Sequence, residues 1–228
     1  DLLIPPEYRG IGIRVEDDVL MTEDGPEWIP PAFQSRSMRS KSGWPAWLPK
    51  VQRPDMPTPE FILELRKKVG HDLLWLMGVS GYVEDEQGRV LLGRRSDTGE
   101  WAMVYGINEP GEEPADTVAR EVKEETGVDV IVTDLVSVKS SRKVLTYANG
   151  DNTMYMDHLF VCKPDPNGNA EPFVGDEESL NVGWFSPDDL PRPLADTTVE
   201  RMGYVREYLK NKANGDAHAQ FSFNGAIR

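Results

Sequence analysis

Between Gly106 and Val128 the sequence reads GINEPGEEPADTVAREVKEETGV, and its second half must fold as a helix against its own charge. Pro110-Gly111 marks a turn, Ala115, Val118, Ala119 and Val122 recur at helical spacing as an apolar stripe, and Gly127 supplies a left-handed stop. A helix is therefore predicted over 112–126. Glu121, Glu124 and Glu125 stand at i, i+3 and i+4 on one face, where each like-charged pair disfavours the helix by ~0.2–0.5 kcal/mol. They also crowd the end where the helix dipole prefers cations, at a further cost of roughly 0.3–1 kcal/mol per exposed charge. Arg120 can reach Glu112 or Glu124 but cannot neutralise all three. Two readings stay open here: a solvated acidic face, or oxygen donors gathered for a hard divalent cation such as Mg²⁺ or Mn²⁺.

Composition narrows the class. The 228 residues, 39% hydrophobic and 28% charged, suffice for one good core plus an extension. A formal net charge of -14 argues against nucleic-acid backbones and anionic membranes as partners, and a polyanionic substrate would need metal cations to reverse the local field. The single cysteine, Cys162, forms no intramolecular disulfide and lies in an apolar run, where a buried, inert thiol is expected; the reading is a reducing, cytoplasmic setting. No apolar run reaches the length of a membrane span, no signal-peptide pattern follows Asp1, and an opening residue other than Met is read as a trimmed or partial chain.

Four regions are expected. Residues 1–25 alternate Ile11, Ile13 and Val15 before Val19-Leu20 and read as a β-hairpin or two short strands; 26–57 is a Pro/Ser/Trp-rich arm carrying Trp28, Trp44 and Trp47. In the main domain, 58–212, a short helix opens with Thr58 as N-cap and Pro59 at the first helical position and stops at Gly70. Two strands follow around Asp85-Glu86-Gln87-Gly88, β-rich runs follow the acidic helix, and a last strand ends at Trp184-Phe185. A C-terminal helix carries Val199, Met202, Val205 and Leu209 on one stripe, and 213–228 reads as a loose tail. Strands on both sides of one helix, with another helix at the end, indicate a mixed α/β (α+β) sandwich.

The spacing Gly106, Glu112, Arg120-Glu121-Val122, Glu124-Glu125, Gly127-Val128 resembles the Nudix box at every defined position, and the resemblance extends over about 58–212. It implies a Nudix-type α/β/α sandwich with a mixed sheet, and hydrolysis of a nucleoside diphosphate linked to a group X by water activated at Mg²⁺ or Mn²⁺. Carried over by residue, Glu121, Glu124 and Glu125 match metal-binding, catalytic carboxylates, Arg120 and Glu112 the pair orienting them, and Gly106 the glycine of the loop before the helix. Val104-Tyr105-Gly106 departs from the frequent Pro-Gly-Gly, which puts loop geometry and substrate fit in question. ADP-ribose or a nucleotide sugar is the first substrate expected, and a nucleoside triphosphate, including an oxidised one, the alternative. A non-catalytic nucleotide sensor is the third reading, disfavoured because every box carboxylate is present. A homodimer is the assembly the family allows.

Glu178, ahead of neighbouring Glu177, matches a loop carboxylate that joins the metals or acts as base; Arg94 and Arg95 are candidates for substrate phosphates, and each has a solvated surface position as its plain alternative. Trp75 and Trp101 are candidates for stacking on a base, with core packing favoured for Trp101. Tyr147 with Asn149-Gly150-Asp151 reads first as a hairpin turn, and His71, His158 and His218 lack ligand spacing. Residues 1–25 resemble the final strands of an aminopeptidase P-type metallopeptidase, with Glu16 at a ligand position, but the other ligands have no counterpart, so no peptidase activity is expected.

Overall fold

The computed structural model describes residues 13–14, 19–22, 25–28, 58–147, 149–176 and 178–228. The chain divides into two compact units, 1–52 and 53–228. In the first, β1 (Ile13–Arg14), β2 (Val19–Thr22) and β3 (Gly25–Trp28) form an antiparallel sheet in that order, one strand more than the sequence pattern implied. Glu16, Trp44 and Trp47 lie outside the described residues.

The second unit begins with α1 (Glu60–Val69). Pro59 is extended (φ -51°, ψ 139°) and is itself the N-cap, so the helix starts one residue later than predicted and Thr58 does not cap it. Then come β4 (Leu74–Val83), β5 (Val90–Arg95), β6 (Trp101–Ala102), β7 (Val104–Ile107) and α2 (Pro114–Thr126). β8 (Val130–Ser140), β9 (Leu145–Thr146), β10 (Asn152–Pro164), β11 (Ser179–Phe185), α3 (Asp196–Ala213), β12 (Ser222–Phe223) and β13 (Ala226–Ile227) complete the chain. The main sheet is mixed: β4 and β10 run parallel at its centre, flanked by antiparallel β7 and β8, with β9 against the start of β10. A second sheet, β11-β5-β6, begins after the turn that follows β4, the two sheets linked there by the bridge Glu84–Val90.

Helices cover both faces of the main sheet, the α/β/α layering expected. Beneath α2, Val118 and Val122 pack with Val79, Val83, Val104 and Phe160. Both valines are fully buried, and each stabilises by about 1.5–3 kcal/mol, more than its neighbouring glutamate repulsions cost. Beneath α3, Met202, Val205 and Tyr208 pack with Tyr82, Leu92 and Leu159. Trp101 joins this core, edge-on to Phe185 at 4.8 Å, whereas Trp75 is 65% exposed. Cys162 is buried, and burial pushes its thiol up to about 12.

Two sequence expectations change. Met202 and Val205 lie on the buried α3 stripe as expected and Leu209 packs at its edge, but Thr198 and Tyr208 complete the stripe while Val199 is 55% exposed; the buried Thr198 hydroxyl accepts the Met103 N–H at 3.1 Å. The expected loose tail is tied down: Gln220 donates its N–H to Val136 O at 2.8 Å and accepts from Val138 N–H at 3.2 Å, and Asn224-Gly225, both at positive φ, close a hairpin between β12 and β13.

Leu159→Ala should cost about 2–5 kcal/mol in urea unfolding, whereas Val199→Ala should stay within about 0.5 kcal/mol. An equal cost at both positions would contradict the corrected stripe.

Candidate functional site

Glu113 precedes α2 in an extended conformation and Pro114 opens the helix, so Glu112 falls in the preceding turn instead of on the helix. There it is held from several sides. Asn108 Nδ2 donates to Glu112 O at 3.1 Å, and the Thr117 hydroxyl donates to Glu112 Oε2 at 2.9 Å. Arg120 grips the same carboxylate as a fork, Nε to Oε1 and Nη2 to Oε2, both at 3.0 Å. Burial pushes Glu112 up, but Arg120 and Thr117 outweigh it and keep the carboxyl below its ordinary value. Arg120 Nη1 meets Glu121 Oε1 at 3.0 Å and Glu124 Oε2 at 2.8 Å. One guanidinium thus binds three carboxylates, where the sequence promised one or two.

Gly106 shows why β7 needs a glycine there: a Cβ would lie 2.2 Å from Glu121 Cγ. The strand and the helix are this close, and the Glu121 side chain is only 16% exposed. Burial, with Glu124 and Glu178 nearby, outweighs Arg120 and raises Glu121 to about 7. Glu125 is half-buried and, among the described residues, its carboxylate has no hydrogen-bond or ion-pair partner. Burial first, then the charges of Glu121, Glu178 and Asp176, push it well above its ordinary value against the pull of Arg95. Glu178 is also raised, by burial and Asp176.

The loop between β10 and β11 delivers Asp176 and Glu178. Its root is fixed where Asn169 N–H donates to Asp129 Oδ2 at 2.8 Å and Trp184 Nε1 donates to Ala170 O at 3.1 Å. The loop then crosses the end of α2. Asn169 Nδ2 donates to Gly127 O at 2.9 Å, Phe173 N–H to Thr126 O at 2.9 Å, and Gly175 N–H to Glu125 O at 3.0 Å. Gly127 itself is left-handed (φ 73°) and returns its N–H to Lys123 O. Glu178 is then held by its backbone, accepting from Ser96 N–H at 2.8 Å and donating to Asp176 Oδ1 at 2.9 Å.

Of the sequence candidates, Glu112, Arg120, Glu121 and Glu124 form one linked set, with Gly106, Glu125 and Glu178 beside it. Arg95 faces Glu125 and Glu178 while forked to Asp97 at 2.9 and 2.7 Å. Arg94 points the other way, as strand alternation requires, and donates from Nε to Gly99 O at 3.0 Å. Glu177 lies outside the described residues. Asp176 is the residue the sequence reading missed; its only signal was membership of the acidic run DEES. Tyr105, the departure from the box loop, turns from the Glu121 side towards α3, where its hydroxyl meets Thr198 Oγ1 at 2.8 Å and Arg201 covers its ring at 4.8 Å. The Asn149-Gly150-Asp151 turn is a hairpin turn, with Asp151 taken by His71 at 2.7 Å.

Among the described residues no three His, Cys, Asp or Glu side chains close around one point, since Glu121 and Glu124 are turned to Arg120. The donor chemistry nevertheless fits a hard divalent cation. All donors are carboxylate oxygens, burial and neighbouring carboxylates raise Glu121, Glu125 and Glu178, and Glu125 is left without a counter-charge in contact. Among the described residues, no helix is long and apolar enough to cross a membrane.

The NUDIX domain profile matches residues 75–208 and does not reach the N-terminal unit, so the metallopeptidase resemblance of residues 1–25 gains nothing from it. The chain is 34% identical over 128 residues to a MutT-like protein of Streptomyces ambofaciens, covering 55% of this chain and 73% of that one. It is 32% identical over 126 residues to nucleoside diphosphate-linked moiety X motif 6 of Mus musculus, covering 54% of this chain but 38% of that one. It is 33% identical over 96 residues to nucleoside triphosphatase NudI of Salmonella schwarzengrund, covering 40% of this chain and 65% of that one. With every residue of the box present and placed as described, the chain belongs to the NUDIX family.

Proposed function

We propose that this protein hydrolyses the pyrophosphate bond of a nucleoside diphosphate linked to X, using Mg²⁺ or Mn²⁺, with ADP-ribose or a nucleotide sugar as the first substrate class. The observation that carries this reading is Glu125, half-buried, its carboxylate unpartnered among the described residues, and within the electrostatic reach of Glu121, Asp176 and Glu178. The family match supports it. A nucleoside triphosphate is the second substrate class, favoured by the name of the Salmonella relative.

Glu121, Glu124 and Glu125 would hold the cations. A divalent cation bound there would neutralise phosphate charge and lower the pKa of a bound water. The side chains do the rest. Arg120, anchored by Glu112, keeps the carboxylate-bearing face of α2 in register. Arg95, across from Glu125 and Glu178, meets the substrate's phosphate oxygens by charge-assisted hydrogen bonds. Glu178, arriving from a different element than the helix carboxylates, accepts the proton as the water oxygen bonds to phosphorus and the bridging P–O bond breaks, its electron pair leaving with the departing phosphate.

In a phosphate-coupled assay with Mg²⁺ over nucleotide sugars, dinucleotides and triphosphates, Glu124→Gln and Glu125→Gln should each lower kcat by about 10²–10⁴-fold. Unchanged turnover in both variants would sink the assignment.

The raised carboxylates also fix the sign of a pH effect. Glu121 binds protons more tightly folded, about 7, than unfolded, 4.5, so its contribution is favourable below 4.5 and is lost as pH rises through 7. Glu125 and Glu178 act in the same direction. Glu112, held low, acts oppositely and only at pH below its ordinary value. In EDTA, the melting temperature should therefore fall between pH 4.5 and 7, and the gain on adding Mg²⁺ should grow across that window. A gain independent of pH would contradict cation binding at these carboxylates.

A further inference from the structure

The loop that carries Asp176 and Glu178 lies on the helix end at a distance only one residue type permits. An added Cβ at Gly175 would stand 1.9 Å from the Glu124 carbonyl oxygen and 3.0 Å from its carbon, both backbone atoms that no rotamer change can move aside. Gly175 is not among the glycines at positive φ, so its backbone conformation does not itself demand glycine; the close approach does. That approach makes the bond from Gly175 N–H to Glu125 O. Asp176 follows immediately, and Glu178 is fixed from the other side by Ser96 N–H.

We propose that Gly175 is a positioning residue: its missing side chain seats the loop on the last carbonyls of α2, and this seating sets Asp176 and Glu178 against Glu125. The inference deepens the proposed cation-dependent hydrolysis, on which its kinetic arm rests. Helix and loop then form one unit, in which cation binding and loop seating strengthen each other. Phe173 and Asn169 hold the same helix end through Thr126 O and Gly127 O, and so belong to the same contact.

The test compares Gly175→Ala with Gly203→Ala, a change on α3 where an added Cβ meets nothing within 4 Å. Amide hydrogen exchange of Phe173 is followed in the full chain with and without Mg²⁺ alone, and Mg²⁺ affinity is measured by titration calorimetry. In the wild type and in Gly203→Ala, Mg²⁺ should slow exchange at Phe173. In Gly175→Ala, that amide should lose its protection and Mg²⁺ affinity should fall by about 10–100-fold, the usual effect of disturbing groups that orient metal ligands. Asn169→Ala, which loosens the loop at its root without crowding the helix, should act in the same direction and serves if Gly175→Ala does not fold. Under turnover, Gly175→Ala should raise the half-saturating Mg²⁺ concentration with little change in KM, a pattern that loss of stability alone does not produce.

Wild-type Mg²⁺ affinity in a variant whose Phe173 exchanges freely would overturn the proposal, as would unaltered protection of Phe173 in Gly175→Ala. If the wild type cleaves no member of the substrate panel, the hydrolase reading falls, while exchange and calorimetry still decide the role of Gly175.

Discussion

Backbone N–H groups of the β10–β11 loop close the C-terminal end of α2, and the acidic cluster depends on that contact. The last carbonyls of a helix lack intrahelical donors, and three glutamates at that end worsen the dipole's preference for cations. Here Glu125 O, Thr126 O and Gly127 O receive donors from Gly175, Phe173 and Asn169, while Lys123 Nζ adds a cation at Gly127 O, 3.2 Å away. Each backbone bond contributes on the order of 1 kcal/mol, comparable with the charge repulsion it opposes. The buried Val118 and Val122 add more on the inner face, so α2 stays folded while its outer face keeps a charge pattern unfavourable to a helix.

The same contact joins structure to chemistry. Capping the helix from a distant loop brings that loop's own acids to the helix's carboxylates, so one set of hydrogen bonds both stabilises α2 and assembles the proposed site. Division of labour among neighbours follows from strand geometry. Gly106 makes room for Glu121 on one side of β7, while Tyr105, next to it, serves the α3 side through Thr198. A tyrosine in place of a glycine is tolerated because its side chain leaves the helix face altogether. Arg95 and Arg94 divide in the same manner, one towards the carboxylates and one towards the Gly99 turn.

What the sequence revealed was local in origin. The stripe Val118–Val122, the Gly127 stop and the Arg120–Glu112 spacing are short-range patterns, and the structure has each where the pattern put it. Alternation along β5 would also have separated Arg94 from Arg95. Long-range contacts left little trace. Asp176 and Gly175 acquire meaning only from a helix some fifty positions earlier in the chain, and nothing near them in sequence announces it. On α3 the pattern places Met202 and Val205 on the buried face but not Thr198, because Thr198 is polar and is buried only where its hydroxyl accepts the N–H of Met103, between β6 and β7. The tail was misjudged because Gln220 is buried through backbone pairing with β8, a contact that composition does not signal.

The most direct measurement is anomalous scattering from crystals of the full chain grown with Mn²⁺. The account predicts anomalous peaks between α2 and the β10–β11 loop, with Glu121, Glu124 and Glu125 as ligands and Glu178 nearby, and with Glu121 and Glu124 drawn off Arg120 while the Arg120–Glu112 fork stays intact. Mn²⁺ bound elsewhere, or Glu121 and Glu124 still paired with Arg120 at saturating Mn²⁺, would contradict it.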